Sequence, residues 1–123
     1  MYTISVEKHF DAAHALRGYK GKCETLHGHR FRVVAKISAT KLNDIGLAYD
    51  FTELKAKLKV IVNKFDHTTL NDNPPFDKMN PSSENIARTI YEELKISLKE
   101  APVELKAVQV WESPNSGVEY KEG

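Results

Sequence analysis

The segment Cys23-Glu24-Thr25-Leu26-His27-Gly28-His29 holds the residue types best suited to chemistry in this chain. On an extended strand, residues two apart point the same way, so His27 and His29 present two imidazoles to one point. Gly28 between them removes a side chain and lets neighbouring backbone come close. A third neutral nitrogen would complete a three-histidine metal site with one open position, the form of a catalytic zinc centre. His14 is the candidate, because it ends Phe10-Asp11-Ala12-Ala13-His14, a segment that can lie antiparallel beside the strand of His27 and His29. Small Ala12 and Ala13 leave room there. A lone histidine would more often be a polar strand residue without function, but a His-Gly-His unit with another histidine upstream and a cysteine just before it points to a metal.

Other groups have chemistry open to them. Cys23 is the only thiol. As a small buried hydrophobe it would be inert, but Lys20, Lys22 and Glu24 are not core neighbours, and nearby cations or a metal would lower its pKa toward a usable base. A fourth zinc ligand is the other option, and would make a closed, structural site. Asp66-His67 is a carboxylate–imidazole pair of the kind used in acid–base work, or a simple turn. Glu112 ends an apolar run, where a carboxylate can accept two hydrogen bonds from a planar guanidine-like edge or merely be solvated. Pro81-Ser82-Ser83-Glu84-Asn85 has the pattern of a helix start, with hydroxyls and free N–H groups that can cap the helix or meet a ligand.

The positioning elements follow from periodicity. Ile4 and Val6 alternate with polar residues as in a half-buried strand, and residues 27–38 predict a second strand with His27, His29, Phe31, Val33, Ala35 and Ile37 on one face. A Gly-rich basic loop, Arg17 to Lys22, separates them. Asp50 or Thr52 can cap a helix to about Lys64 whose stripe is Leu54, Leu58, Ile61, Val62 and Phe65. A polar loop covers 66–81, and Ser82 or Ser83 can cap a second helix to about Lys99, with Ile86, Ile90, Leu94 and Leu98 inward. Residues 103–112 predict a third strand, 113–117 a turn, and 118–120 the start of a short fourth strand. The order ββααββ implies an α+β sheet with helices on one face. Its two edges must be paired or protected, and oligomerisation is an inexpensive way to do so.

Composition bounds the rest. A chain of 123 residues with 41% hydrophobic content suits one domain with a real core. Lys and Arg number 18 against 17 Asp and Glu, which argues against a dedicated nucleic-acid binder. One cysteine fits a reducing compartment. No apolar run nears the roughly 20 residues of a membrane span, and no secretory pattern opens the chain. A cytoplasmic protein with no membrane or nucleic-acid partner is expected.

Taken together, Phe10-Asp11-Ala12-Ala13-His14, Cys23-x-x-x-His27-Gly28-His29, Asp50-Phe51, Asp66-His67-x-x-Leu70-Asn71, Pro81-Ser82-Ser83-Glu84-Asn85-Ile86-Ala87 and Glu112-Ser113 resemble the 6-pyruvoyl-tetrahydropterin synthase family. They come in the family's order and span nearly the whole chain. Three residues between Cys23 and His27 resemble its 6-carboxytetrahydropterin synthase branch, of queuosine (7-deazaguanine) biosynthesis. The resemblance implies one domain over 1–123 with the tunnelling fold (T-fold): a four-stranded antiparallel sheet with two helices on one face. It also implies homotrimers whose sheets join into a barrel, often stacked as hexamers. The implied lyase reaction turns 7,8-dihydroneopterin triphosphate into 6-carboxy-5,6,7,8-tetrahydropterin, acetaldehyde and triphosphate.

By the same resemblance, His14, His27 and His29 hold Zn²⁺, Cys23 is the general base, Asp66 and His67 transfer a second proton, and Glu112 anchors the pterin's amino-pyrimidine edge. Ser82 and Ser83 stand where a Thr-containing pair is expected for pterin contacts. Lys20 and Lys22 are candidates for the triphosphate on charge alone. Glu24 directly after Cys23 departs from the pattern. Some relatives use a glutamate near here to form 6-hydroxymethyl-7,8-dihydropterin for folate, so Glu24 is either a second base in a bifunctional enzyme or a solvated loop charge. A 6-pyruvoyl-tetrahydropterin synthase and a non-catalytic zinc-binding module are the alternatives.

Overall fold

Alternation of apolar and polar residues builds the two long strands. The computed structural model describes residues 1–21 and 24–123. Strand β1 (Tyr2–His14) buries Ile4, Val6, Phe10, Ala12 and His14, all on one face, and β2 (His27–Ala39) buries Phe31, Val33, Ala35 and Ile37. They pair antiparallel along their full length, from Tyr2 opposite Ala39 to His14 opposite His27.

Helix α1 (Phe51–Val62) starts at Asp50, whose carboxylate accepts the Thr52 N–H at 2.8 Å, and buries Leu54, Leu58, Ile61 and Val62. Thr68–Thr69 form β3. Helix α2 (Ser83–Ser97) starts at Ser82, whose hydroxyl accepts the Asn85 N–H at 3.1 Å, and buries Ile86, Ala87, Ile90, Tyr91 and Leu94. Strands β4 (Glu104–Ser113) and β5 (Ser116–Tyr120) complete the sheet in the order β3-β1-β2-β4-β5. Both helical stripes share one core with the inward face of the strands, where Phe10 stacks on Phe31 at 4.9 Å and Phe65 meets Phe76 at 5.5 Å. Each such large side chain contributes roughly 1.5–3 kcal/mol on burial.

The α+β class, the two helices and both caps match the sequence reading. The sheet does not: it has five strands rather than four, and it is mixed. Two residues of the expected loop, Thr68 and Thr69, pair parallel with Ala12 and Ala13. The cause is local. The Asp11 N–H donates to Asp66 Oδ1 at 2.8 Å, and the His67 N–H donates to the Asp11 carbonyl at 2.6 Å, so the chain leaving α1 is held against the edge of β1. The last hairpin is also tighter than the expected turn over 113–117, with only Pro114 and Asn115 between the strands. Among the described residues, no helix is long and apolar enough to cross a membrane.

Gly117 lies opposite Trp111 across the β4–β5 hairpin, and a Cβ there would meet Trp111 ring carbon Cδ2 at 2.4 Å. The Gly117→Ala variant is therefore expected to lose about 1–3 kcal/mol of stability through forced displacement of the indole. Urea unfolding of the two proteins measures this, and equal midpoints would contradict the packing.

Candidate metal centre

Antiparallel pairing brings His14 directly opposite His27, and His29 follows two residues along β2 on the same face. Ring centroids lie 4.6 Å apart for His14 and His27, 4.7 Å for His27 and His29, and 5.5 Å for His14 and His29. One ligand atom from each of His14, His27, His29 and Glu112 lies within 4.8 Å of every other. The three predicted histidines therefore converge, and Glu112, expected as the pterin anchor, stands beside them.

Backbone carbonyls set the tautomers. His14 Nδ1 donates to the Pro81 carbonyl at 2.7 Å and His27 Nδ1 to the Thr25 carbonyl at 2.6 Å. A carbonyl only accepts, so each Nδ1 carries the proton and each Nε2 offers a lone pair. His14 is 1% exposed, and its Nε2 has no hydrogen-bond partner among the described residues. Glu112 Oε1 comes within 2.9 Å of that atom, and within 3.6 Å of His29 Nε2. With its proton on Nδ1, His14 has no N–H to donate to Glu112 from Nε2, so the 2.9 Å approach is not a hydrogen bond. A cation would satisfy the His14 lone pair, and a carboxylate close by would favour that cation. Burial is the largest influence on His29 and pushes its pKa down; Glu112 opposes this, while His27 and His14 add to it. The neutral imidazole favoured in this way is the metal-binding form. Three imidazoles with a carboxylate beside them suit Zn²⁺, so the residues fit such an ion.

Glu112 stands on β4 two residues after the buried Val110, so strand alternation puts it on the same inward face. The β4–β5 register shifts just there, between Trp111 and Ser113.

Asp66 and His67 are not brought into this group. Asp66 Oδ2 lies 3.0 Å from His67 Nδ1, and both residues cluster with Asp11. Asp11 is three residues from His14 on β1, which puts the two side chains on opposite faces. His67 is 78% exposed at its side chain and has a φ of +58°, a left-handed backbone held by its N–H bond to Asp11. The Asp11 N–H is the main reason that the Asp66 carboxyl is held below its ordinary pKa, and His67 adds to the effect.

Ser82 and Ser83 begin α2 right after Pro81, the residue that touches His14, and the Ser82 hydroxyl is engaged as the helix cap. Glu24 is exposed, and its N–H donates to the Gly21 carbonyl at 3.2 Å. Lys20 is exposed. Cys23 and Lys22 lie outside the described residues. The sequence reading missed Asp11 as a partner of Asp66, and missed the Pro81 and Thr25 carbonyls. The first was within reach, since Asp11 sits inside the Phe10–His14 motif, but backbone acceptors leave no mark on a sequence.

Fold and site define an α+β protein with a three-histidine centre at one end of its sheet, buried at His14 and half-buried at His27 and His29. The chain belongs to the 6-pyruvoyl tetrahydropterin synthase family, whose sequence profile matches residues 3–123. It is 36% identical over 118 residues to a putative 6-carboxy-5,6,7,8-tetrahydropterin synthase of Archaeoglobus fulgidus, covering 96% of this chain and 94% of that one. It is 38% identical over 126 residues to the 6-carboxy-5,6,7,8-tetrahydropterin synthase of Synechocystis, covering 98% and 93%. The solved 6-pyruvoyl tetrahydropterin synthase of Caenorhabditis elegans superposes with a TM-score of 0.88 at 29% identity, over 99% of this chain and 96% of that one.

A carboxyl with a lowered folded-state pKa stabilises the fold above its unfolded pKa, and this is lost as pH falls through the folded value. Asp66 is such a group. The stability gap between the parent and Asp66→Asn is expected to be full near neutral pH and to narrow in acid. Urea titrations from about pH 7 down to about pH 3 test this, and a gap independent of pH would contradict it.

Proposed function

We propose that this chain is a zinc-dependent 6-carboxy-5,6,7,8-tetrahydropterin synthase. It would convert 7,8-dihydroneopterin triphosphate and one water to 6-carboxytetrahydropterin, acetaldehyde and triphosphate, in the cytoplasm, for queuosine biosynthesis. The observation that carries this reading is the buried Nε2 of His14, unpartnered among the described residues, beside His27, His29 and Glu112. The names of the two 6-carboxytetrahydropterin synthase relatives support the choice of product.

His14, His27 and His29 would hold Zn²⁺, which supplies Lewis-acid polarisation of the substrate's side-chain oxygens and makes adjacent C–H groups more acidic. Cys23 removes a carbon-bound proton. Asp66 accepts from His67 Nδ1 and leaves His67 Nε2 as the second proton-transferring atom, on an exposed ring. Glu112, 29% exposed at its side chain, accepts hydrogen bonds from the amino-pyrimidine edge and sets the reacting carbon beside the histidines. Ser82 and Ser83 contact the pterin from the start of α2. Lys20 and Lys22 receive the triphosphate.

The sheet edges support assembly. Among the described residues, β1 has a partner on its outer side only at Ala12 and Ala13, and β5 ends the sheet. Edge-to-edge joining of copies into a trimer, or a hexamer of two trimers, would satisfy these edges. His67, beside β3 at one edge, would then face a neighbouring copy.

Product analysis tests the function. Zinc-loaded protein with 7,8-dihydroneopterin triphosphate is expected to give acetaldehyde and 6-carboxytetrahydropterin by mass spectrometry. Chelation should abolish turnover and Zn²⁺ should restore it. The Cys23→Ala variant should lose about 10²–10⁴-fold in rate with its metal retained. 6-Hydroxymethyl-7,8-dihydropterin lost in Glu24→Ala would assign a second activity to Glu24. A pyruvoyl product would move the chain to the other branch, and no turnover with metal bound would overturn the reading.

A further inference from the structure

Beyond His14, the chain leaves the sheet and loses its strand neighbours, yet its backbone groups remain paired. The Ala15 N–H donates to Asn71 Oδ1 at 2.9 Å, and Asn71 Nδ2 donates back to the Ala15 carbonyl at 2.9 Å. Two residues on, the pattern repeats: the Arg17 N–H donates to Asn80 Oδ1 at 2.9 Å, and Asn80 Nδ2 donates to the Arg17 carbonyl at 2.9 Å. Two side-chain amides thus take the place of a β-neighbour, since each offers one acceptor and one donor in a plane, as a peptide does. The Arg17 guanidinium closes the intervening loop by donating to the carbonyls of Asn71, Phe76 and Met79 at 3.2, 2.9 and 3.2 Å.

This brace ends at the metal centre. Asn80 precedes Pro81, whose carbonyl accepts from His14 Nδ1 at 2.7 Å. The Asn80 carbonyl in turn accepts from Asn85 Nδ2 at 2.9 Å, tying it to the first turn of α2. His14 is therefore clamped from two directions: through the chain 15–17 that follows it, and through the carbonyl that orients its ring.

We propose that Asn71, Asn80 and Arg17 are positioning residues for the metal centre, acting on His14 through Ala15 and the Pro81 carbonyl. The inference rests on the metal reading above. Outer partners that orient a ligating histidine typically change metal affinity by about 10–100-fold, and loss of the Asn80 amide should fall in that range.

The experiment titrates the full-length protein with Co²⁺ and reads both affinity and the visible ligand-field spectrum. The parent protein must bind Co²⁺ with an imidazole-type spectrum; if it does not, the metal reading fails by itself. Given that, Asn80→Ala should bind about 10–100-fold more weakly with an altered spectrum, and Asn71→Ala should shift the same way. Asn80→Asp keeps the acceptor for the Arg17 N–H but loses the donor, so it should fall between, and it serves if Asn80→Ala does not fold. Asn43→Ala is the control. The Asn43 side chain accepts from the Ile45 and Leu47 N–H groups at 3.0 Å each in the turn before α1, so comparable hydrogen bonds are lost without a link to His14. Unchanged Co²⁺ affinity and spectrum in Asn80→Ala, or an equal loss in Asn43→Ala, would overturn the proposal.

Discussion

The pairing of β1 with β2 is the constraint on which the rest of the molecule depends. It sets Phe10 opposite Phe31 and His14 opposite His27 in one unbroken ladder. Side chains alternate along a strand, so a slip of one residue would turn Phe10 outward and carry His14 to the face now held by Asp11. The apolar residues decide this register. Ile4, Val6, Phe10 and Ala12 on β1, and Phe31, Val33, Ala35 and Ile37 on β2, are all buried on the helix side. At roughly 1.5–3 kcal/mol for each large side chain, the combined penalty for a slip far exceeds what three imidazoles could impose. The polar centre inherits its geometry from the core, with the His14 ring seated edge-on against Phe31 at 5.3 Å.

The outer side of β1 is governed by a different rule, that buried backbone groups must find partners. Past Asp11 these partners come from side chains and short pairings of the segment between the helices: Asp66 at Asp11, Thr68 and Thr69 at Ala12 and Ala13, Asn71 at Ala15, and Asn80 at Arg17. That segment therefore behaves as an irregular outer strand. It carries Asp66 and His67 at one end and the His14-orienting carbonyl of Pro81 at the other, so one stretch of chain serves both polar clusters.

The two clusters differ in environment as well as face. His14 is buried, its proton fixed on Nδ1 by a carbonyl, and its other nitrogen free to bind a metal. His67 is exposed, with a carboxylate on Nδ1. A buried imidazole with its tautomer fixed suits coordination, whereas an exposed imidazole with a partner carboxylate suits proton exchange. Both lie within residues 3–123, which match the 6-pyruvoyl tetrahydropterin synthase family.

Periodicity and spacing made much of this legible beforehand. The period-two pattern of β1 and β2 and the apolar stripes of both helices follow from which residues must leave water, and His-Gly-His declares its shared face because alternation is a covalent property of an extended chain. The caps at Asp50 and Ser82 are equally local, as is the family likeness. Asp11 beside Asp66, β3 and the asparagine brace were not legible. Each joins groups distant in sequence, and each depends on where a backbone N–H or carbonyl comes to lie once the helices are packed. Every residue carries such a group, so no residue type signals it. A side chain's period can be read along one chain, but a hydrogen bond between segments exists only after the core has set their distance.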